Sequence, residues 1–327
     1  MLPVCDHYSG VEVRMRKSLA LQAELMQEFG NCVFDVTLDC EDGARVGGER
    51  DHAAMVVALA RDAVARAPGC AGGAGRRVAV RVHPVGHAAF EEDVQTILSG
   101  VGADLCHVMV PKVESPDDVA AAVAAIDRSC VDRGSAGPMP LHVLLESPAA
   151  VHRAFDIVSH PRVQSASFGL MDFVSSHGGA IPSEAMSVNG QFEHPLVVRA
   201  KLEVAAACHA HGKVPSHCVV TEFRDLEALQ RSATVAARMF GYRRMWSIHP
   251  GQIRPILSAF APPRSEIETA AQIIAAACQA DWAPIEFAGQ LHDRASYRFF
   301  WHILERAHQT GQVLPKEVQV HFGHQFH

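Results

Sequence analysis

Asp172 stands in the run SFGLMDF (167–173), beside Phe168, Leu170 and Phe173. A carboxylate among such neighbours is costly to desolvate unless a cation neutralises it. Other acids sit at the ends of other short apolar runs: Asp39, Glu41 and Asp42 in DCEDG, Glu114 in PKVES and Glu146 in LLES. Carboxylates gathered in one place repel, and some protonate unless a positive charge lies among them. A divalent ion meets that need. Mg²⁺ is typically held by one or two carboxylates, with waters and substrate oxygens completing its octahedron. Glu146 and Asp172, on consecutive runs, are the best-placed pair of metal ligands. The alternative is that Asp172 caps the next turn while Glu146 pairs with Arg81 or Lys112.

Arg81, in RVHP, offers a planar fork that can hold a substrate carboxylate by two parallel hydrogen bonds. The competing reading is an ion pair to Glu41 or Asp42 that only holds the acidic cluster together. Gly169 lets the backbone approach closely, and the amides after it, through Met171, can bind a carboxylate. Lys112 reads as structural. His249 precedes Pro250, and its ring reads as a partner for strand-end carbonyls. Cys40 lies within the acidic cluster without an evident base and reads as packing.

These positions need elements to hold them. An N-terminal LPV leads into RKSLALQAELMQEFG; CVFDVTL precedes MVVALARDAVARA; RVAVRV precedes HAAFEEDVQTILSGV. LCHVMV, LHVLL, VQSASFGL, VPSHCVV and RMWSI each continue the alternation, giving eight strand–helix units. Such alternation favours a parallel sheet covered by helices. Eight units point to an α/β fold, a closed (β/α)₈ TIM barrel over residues 1–260. Active sites of such barrels are built at the C-terminal ends of the strands. Ser115-Pro116 and Ser147-Pro148 carry helix-start signals, which puts Glu114 and Glu146 at strand–helix junctions. The segment 175–195 is long enough to be a lid. Loops are expected at 68–77 and 133–140; the GGAG of the first follows a helix and fails as a nucleotide-binding signature. Residues 261–327 read as a helical extension without a core of its own, expected to pack on the barrel or on another subunit.

A net charge of −7 argues against nucleic acid or an anionic membrane as partner. No apolar run approaches the roughly 18 residues of a membrane span. MLPVCDHYSG lacks a basic, then apolar, leader pattern, so no signal peptide is expected. Nine cysteines without a C-x-x-C pair read as reduced thiols of a cytoplasmic protein. Twenty histidines show no ligand spacing and are expected mostly at the surface.

LDCEDGA, VRVHP, VMVPKVES, LLESPAAV, SFGLMDF and WSIHPGQI occur in this order, over about residues 35–260. Together they resemble the motifs of citrate lyase beta subunits and malyl-CoA lyases, the HpcH/HpaI aldolase and citrate lyase superfamily. The resemblance implies a TIM barrel, Mg²⁺, and carbon–carbon cleavage or formation of a hydroxy-acyl thioester from an α-keto acid and an acyl-CoA. It matches Glu146 and Asp172 to metal-binding carboxylates, and Arg81 to an arginine gripping the keto-acid carboxylate. Glu41 and Asp42 match acids near the metal's waters. Asp293, in GQLHDRASYRFFWHILERA, matches an aspartate that reaches the site of a neighbouring subunit, which implies a homo-oligomer, trimer or hexamer. Some positions depart from the pattern. His83 replaces an asparagine, Met171 an acid and Cys40 an aliphatic residue, and the N-terminal R-S-x-L-x-x-P-G stretch that helps bind CoA is absent. The related outcomes are an aldolase of non-CoA substrates, an acyl-CoA thioesterase, or a subunit inactive without an acyl-carrier partner.

Overall fold

Side chains alternate along each strand, and the alternation sorts the sequence into two faces. In FDVTLD, Phe34, Val36 and Leu38 join the large apolar core, whereas Asp35, Thr37 and Asp39 are the buried polar residues between them. In LHVLL, Leu141, Val143 and Leu145 do the same, with His142 and Leu144 on the other face. The computed structural model describes residues 2–65, 75–129 and 137–323. Most of the 68–77 loop and part of the 133–140 loop lie outside the described residues.

The strands are β1 (Cys5–Ser9), β2 (Phe34–Asp39), β3 (Val78–Arg81), β4 (His107–Val110), β5 (Leu141–Leu145), β6 (Val163–Phe168), β7 (Val214–His217) and β8 (Arg244–Ser247). They pair in parallel in chain order, and β1 pairs with β8 to close a barrel. Helices α1 (Glu12–Phe29), α2 (Glu49–Ala65), α3 (Phe90–Val101) and α4 (Pro116–Ser129) follow the first four strands. The short α5 (Pro148–His152) and α6 (Ala154–Ser159) follow β5, and α7 (Leu170–Ser175) and α8 (Pro195–Ala210) follow β6. After β7 and β8 come α9 (Leu226–Met239) and α10 (Ile253–Phe260). This is the expected (β/α)₈ barrel. Among the described residues no helix is long and apolar enough to cross a membrane.

Three local expectations need correction. The first strand is CDHYS rather than LPV, because it carries polar residues, Asp6 among them, that the apolar run lacks. Asp172 lies not at a strand end but in the first turn of α7, after β6 has stopped at Phe168. Of the described histidines, His7, His83, His107, His142, His217 and His292 are buried, and the others are partly or fully exposed, as expected of most. The extension has its own core. There α11 (Arg264–Gln279), α12 (Arg294–Gln309) and α13 (Lys316–Gly323) close around Ile267, Ile274, Tyr297, Leu304, Val318 and Phe322. It packs on the barrel at the end of α1, where Asn31 donates from Nδ2 to the His308 carbonyl at 2.9 Å. The 175–195 segment is pinned as well: Ile181 and Ala185 join the barrel core, and buried Lys201 donates to Gln191 Oε1 at 2.6 Å.

Candidate functional site

β2 and β3 end side by side, with Asp39 in register with Arg81. Arg81 is 4% exposed and donates from Nε and Nη2 to the two oxygens of Asp39, at 2.7 and 2.6 Å. Nη2 also donates to Asp42 at 2.7 Å, and Nη1 lies 2.8 Å from Glu41 Oε2. Burial opposes the Arg81 charge, but Asp39, Glu41 and Asp42 outweigh it and hold its pKa well above the ordinary value. Three N–H groups of the guanidinium are thereby hydrogen-bonded, and Nη1 is ion-paired to Glu41. The ring of Tyr8 packs under the guanidinium, 5.0 Å from its centroid. The ion pairs weighed against a substrate grip are therefore present.

Glu146 follows β5 directly and is 6% exposed. Its Oε1 accepts the Lys112 backbone N–H at 2.7 Å. Burial, then the charges of Asp172 and Glu41, push its carboxyl up to about 8. Gly169 lets this side chain sit where it does: a Cβ at 169 would come within 2.6 Å of Glu146 Oε2. Asp172 is exposed at the start of α7, and its carboxylate makes no hydrogen bond or ion pair among the described residues. The expectation that it caps a turn therefore does not hold. Met171, beside it, is 40% exposed.

Lys112 links the two halves of the rim. Its Nζ lies 2.6 Å from Glu41 Oε1, while Glu41 reaches Arg81 through its other oxygen. Burial works against the Lys112 ammonium, but the Glu41 hydrogen bond and the charges of Glu41, Glu146 and Asp172 hold its pKa above the ordinary value. Its φ is 51°, in the left-handed region rarely used by non-glycine residues. Burial, against the pull of Arg81 and Lys112, raises Glu41.

The other expectations divide. Glu114 accepts from Ser147 Oγ at 2.7 Å, a junction role, and Ser147 caps α5. Cys40 is buried, and its thiol is pushed well up by burial and by Asp93 and Asp39. His249 accepts the Gly251 amide on Nδ1 rather than serving a carbonyl, and stacks on Phe223 at 5.3 Å. Asp293 is not brought to the rim. It caps α12, accepting from the Ala295 and Ser296 amides at 2.9 and 3.2 Å. Two features escaped the sequence reading. Tyr8 is one, and its signal was adjacency: an aromatic one residue from the end of the first strand. The other is a cavity of about 680 Å³ beside it, lined by Tyr8, Gly10, Arg14, Lys17, Phe223 and His249.

A second charged cluster fills the barrel near the opposite strand ends. Arg244 of β8 pairs with Asp35 of β2 and, at 3.1 Å, with Asp6 of β1; Arg77 lies 2.5 Å from Asp35. Burial pushes Asp6 up to about 6, against Arg244, whereas Arg244 and Arg77 overcome burial at Asp35 and hold it low. His142 bonds Ser165 and Ser167 at 2.6 and 2.8 Å.

The sequence pattern of the HpcH/HpaI aldolase/citrate lyase family matches residues 18–250. The chain belongs to this family. It is 48% identical to a citrate lyase structure from Burkholderia xenovorans LB400, with TM-score 0.80, covering 98% of this chain and 96% of that one. The L-malyl-CoA/beta-methylmalyl-CoA lyase of Cereibacter sphaeroides is 28% identical over 215 residues, 61% of this chain and 65% of the relative. The match thus spans just under two thirds of that family member. CitE of Mycobacterium tuberculosis, solved with magnesium, acetoacetate and coenzyme A, shares the fold at 20% identity and TM-score 0.66, over 94% and 98% of the chains.

Proposed function

We propose that this chain is a cytoplasmic Mg²⁺-dependent carbon–carbon lyase, which cleaves or forms a hydroxy-acyl thioester from an α-keto acid and an acyl-CoA. The observation that carries the reading is Glu146, a buried carboxylate raised by burial and by two further carboxylates, Asp172 and Glu41. Such a group asks for a cation, and the donors around it are carboxylate oxygens, the hard ligands that Mg²⁺ selects. Glu146 and Asp172 would hold the ion, with Glu41 and Asp42 toward its waters. Bound there, Mg²⁺ supplies Lewis-acid stabilisation of charge developing on a keto-acid oxygen.

The rest falls to the chain's own groups. Arg81 orients the substrate carboxylate through its Nη1 group. Gly169 keeps the space beside Glu146 free, and the backbone amides of Leu170 and Met171 open α7 without intrahelical partners. Arg14 and Lys17 give the neighbouring cavity the positive charge that a phosphate-bearing thioester carrier needs. Tyr8 belongs to both cavity and rim, so a carrier bound in the cavity would lie beside the carboxylates. Asp293, from a second copy in a trimer or hexamer, exchanges a proton with the α-carbon of the thioester.

The test is a turnover assay with malyl-CoA, citramalyl-CoA and the free hydroxy acids, with and without Mg²⁺. Losing a metal ligand costs more than losing its support, so Asp172→Ala is expected to lose roughly 100-fold or more of the Mg²⁺-dependent cleavage. Its circular dichroism and thermal midpoint stay at wild-type values. Normal cleavage by Asp172→Ala contradicts the metal assignment, and release of free acid without carbon–carbon cleavage contradicts the reaction.

A further inference from the structure

Lys112 combines two observations that a plain structural lysine does not explain. It is a non-glycine residue in left-handed backbone, φ 51°. Such strain persists where the surrounding structure enforces it, and it collects at functional sites. Here the conformation does two things at once. It aims the Lys112 N–H at Glu146 Oε1, 2.7 Å away, and it delivers Nζ to Glu41 at 2.6 Å. The charges of Glu41, Glu146 and Asp172 all act on that ammonium. One lysine is thus ion-paired to Glu41 while its amide holds Glu146, one of the metal ligands assigned above.

The two rim cations differ in how readily they can leave. Arg81 has a side chain 5% exposed and is tied to three carboxylates. Lys112 has one ion pair and a side chain 47% exposed, on a flexible stem that reaches solvent by simple rotation. We propose that the Lys112 ammonium is the counter-ion of the metal-free site and that Mg²⁺ binds by displacing it, while the Lys112 amide keeps Glu146 in place. The inference rests on Glu146 and Asp172 being the metal ligands. Lys112 is in this account a positioning residue for the metal site. No covalent bond is made or broken; one cation replaces another.

Calorimetric titration of the full chain with MgCl₂, without substrate and at fixed pH and ionic strength, tests it. Lys112→Met deletes the charge and keeps the stem. Lys112→Gly deletes both and suits the left-handed backbone, so it preserves the amide bond to Glu146. Both are expected to bind Mg²⁺ roughly fivefold more tightly than wild type, the scale of one partly exposed ion pair. The gain shrinks as salt is raised. Lys112→Arg keeps the charge and binds as wild type does. Unchanged or weaker binding in Lys112→Met and Lys112→Gly overturns the displacement. If wild type binds Mg²⁺ through Asp172 and these variants do not shift, only the displacement fails. If wild type takes up no Mg²⁺, the metal assignment fails with it.

Discussion

The barrel holds charge in two places, and the two are balanced differently. In its interior, Asp6 and Asp35 face Arg244 and Arg77, two negative charges against two positive. At the rim, among the described residues, Asp39, Glu41, Asp42, Glu146 and Asp172 face Arg81 and Lys112. Asp6, His107 and His142 present ligand atoms within 4.8 Å of one another, as a metal would require. There, however, the cation's place is taken, because Arg244 Nη2 lies 3.1 Å from Asp6. Both ring nitrogens of His142 are also engaged by Ser165 and Ser167. Proximity of ligand types thus does not distinguish a functional cluster from a structural one. Uncompensated charge does: the interior balances two carboxylates with two guanidiniums, although Arg244 Nε and Nη1 and His107 Nε2 are buried without hydrogen bonds among the described residues, and the rim is short of positive charge.

Each half of that contrast can be broken separately. The largest effect belongs to the interior. Arg244→Met leaves Asp6 and Asp35 buried without their shared partner, and a loss of about 3–5 kcal/mol in denaturant unfolding is expected. A variant as stable as wild type would show that the interior charges do not need one another.

Acid comes next. Burial and the charge of His249 lower His7 to about 4, and burial, against Asp35, lowers His107 to about 3. Below the ordinary value of 6.5 the unfolded chain therefore binds more protons than the folded one, so stability present above that pH is lost as pH falls toward 4. Asp6, pushed up to about 6, and Glu146, pushed up to about 8, work the other way over part of this range, whereas His142 and His217, lowered by burial, add to the fall. His107→Asn is expected to flatten the fall measured by denaturation at successive pH values. An unaltered slope would remove the histidine from the account.

The smallest effect sharpens the rim. Gly169→Ala brings a methyl within 2.4 Å of Glu146 Cβ and 2.6 Å of its Oε2, so Glu146 must shift and Mg²⁺ affinity is expected to drop roughly tenfold in titration calorimetry, with some loss of stability from the same clash. Unaltered affinity would mean that Glu146 does not hold the ion from its present position.

How far the sequence spoke depended on how local each signal was. The barrel was legible because strands such as FDVTLD and LHVLL alternate apolar and inward-facing residues, and helices with capping serines separate them. Glu146 and Arg81 were legible as strand-end charges for the same reason. Asp172 was placed one element too early, since a helix of six residues is too short to display a period. CDHYS was missed because it puts a charge where a strand search looks for apolar residues. The interior cluster joins Asp6, Asp35 and Arg244 across more than two hundred positions of sequence, and nothing local announces such a meeting. The same holds for the core of the extension, assembled from three helices. Lys112 gave no sign of its left-handed backbone, which tertiary contacts impose on a residue of ordinary propensity.

The most direct measurement is a crystal soaked in Mn²⁺, a stand-in for Mg²⁺ with an anomalous signal, with data collected near the manganese edge. The account predicts an anomalous peak coordinated by Glu146 and Asp172, with the Lys112 ammonium withdrawn from its contact with Glu41. A peak among Asp6, His107 and His142, or no peak between Glu146 and Asp172 at saturating metal, would contradict it.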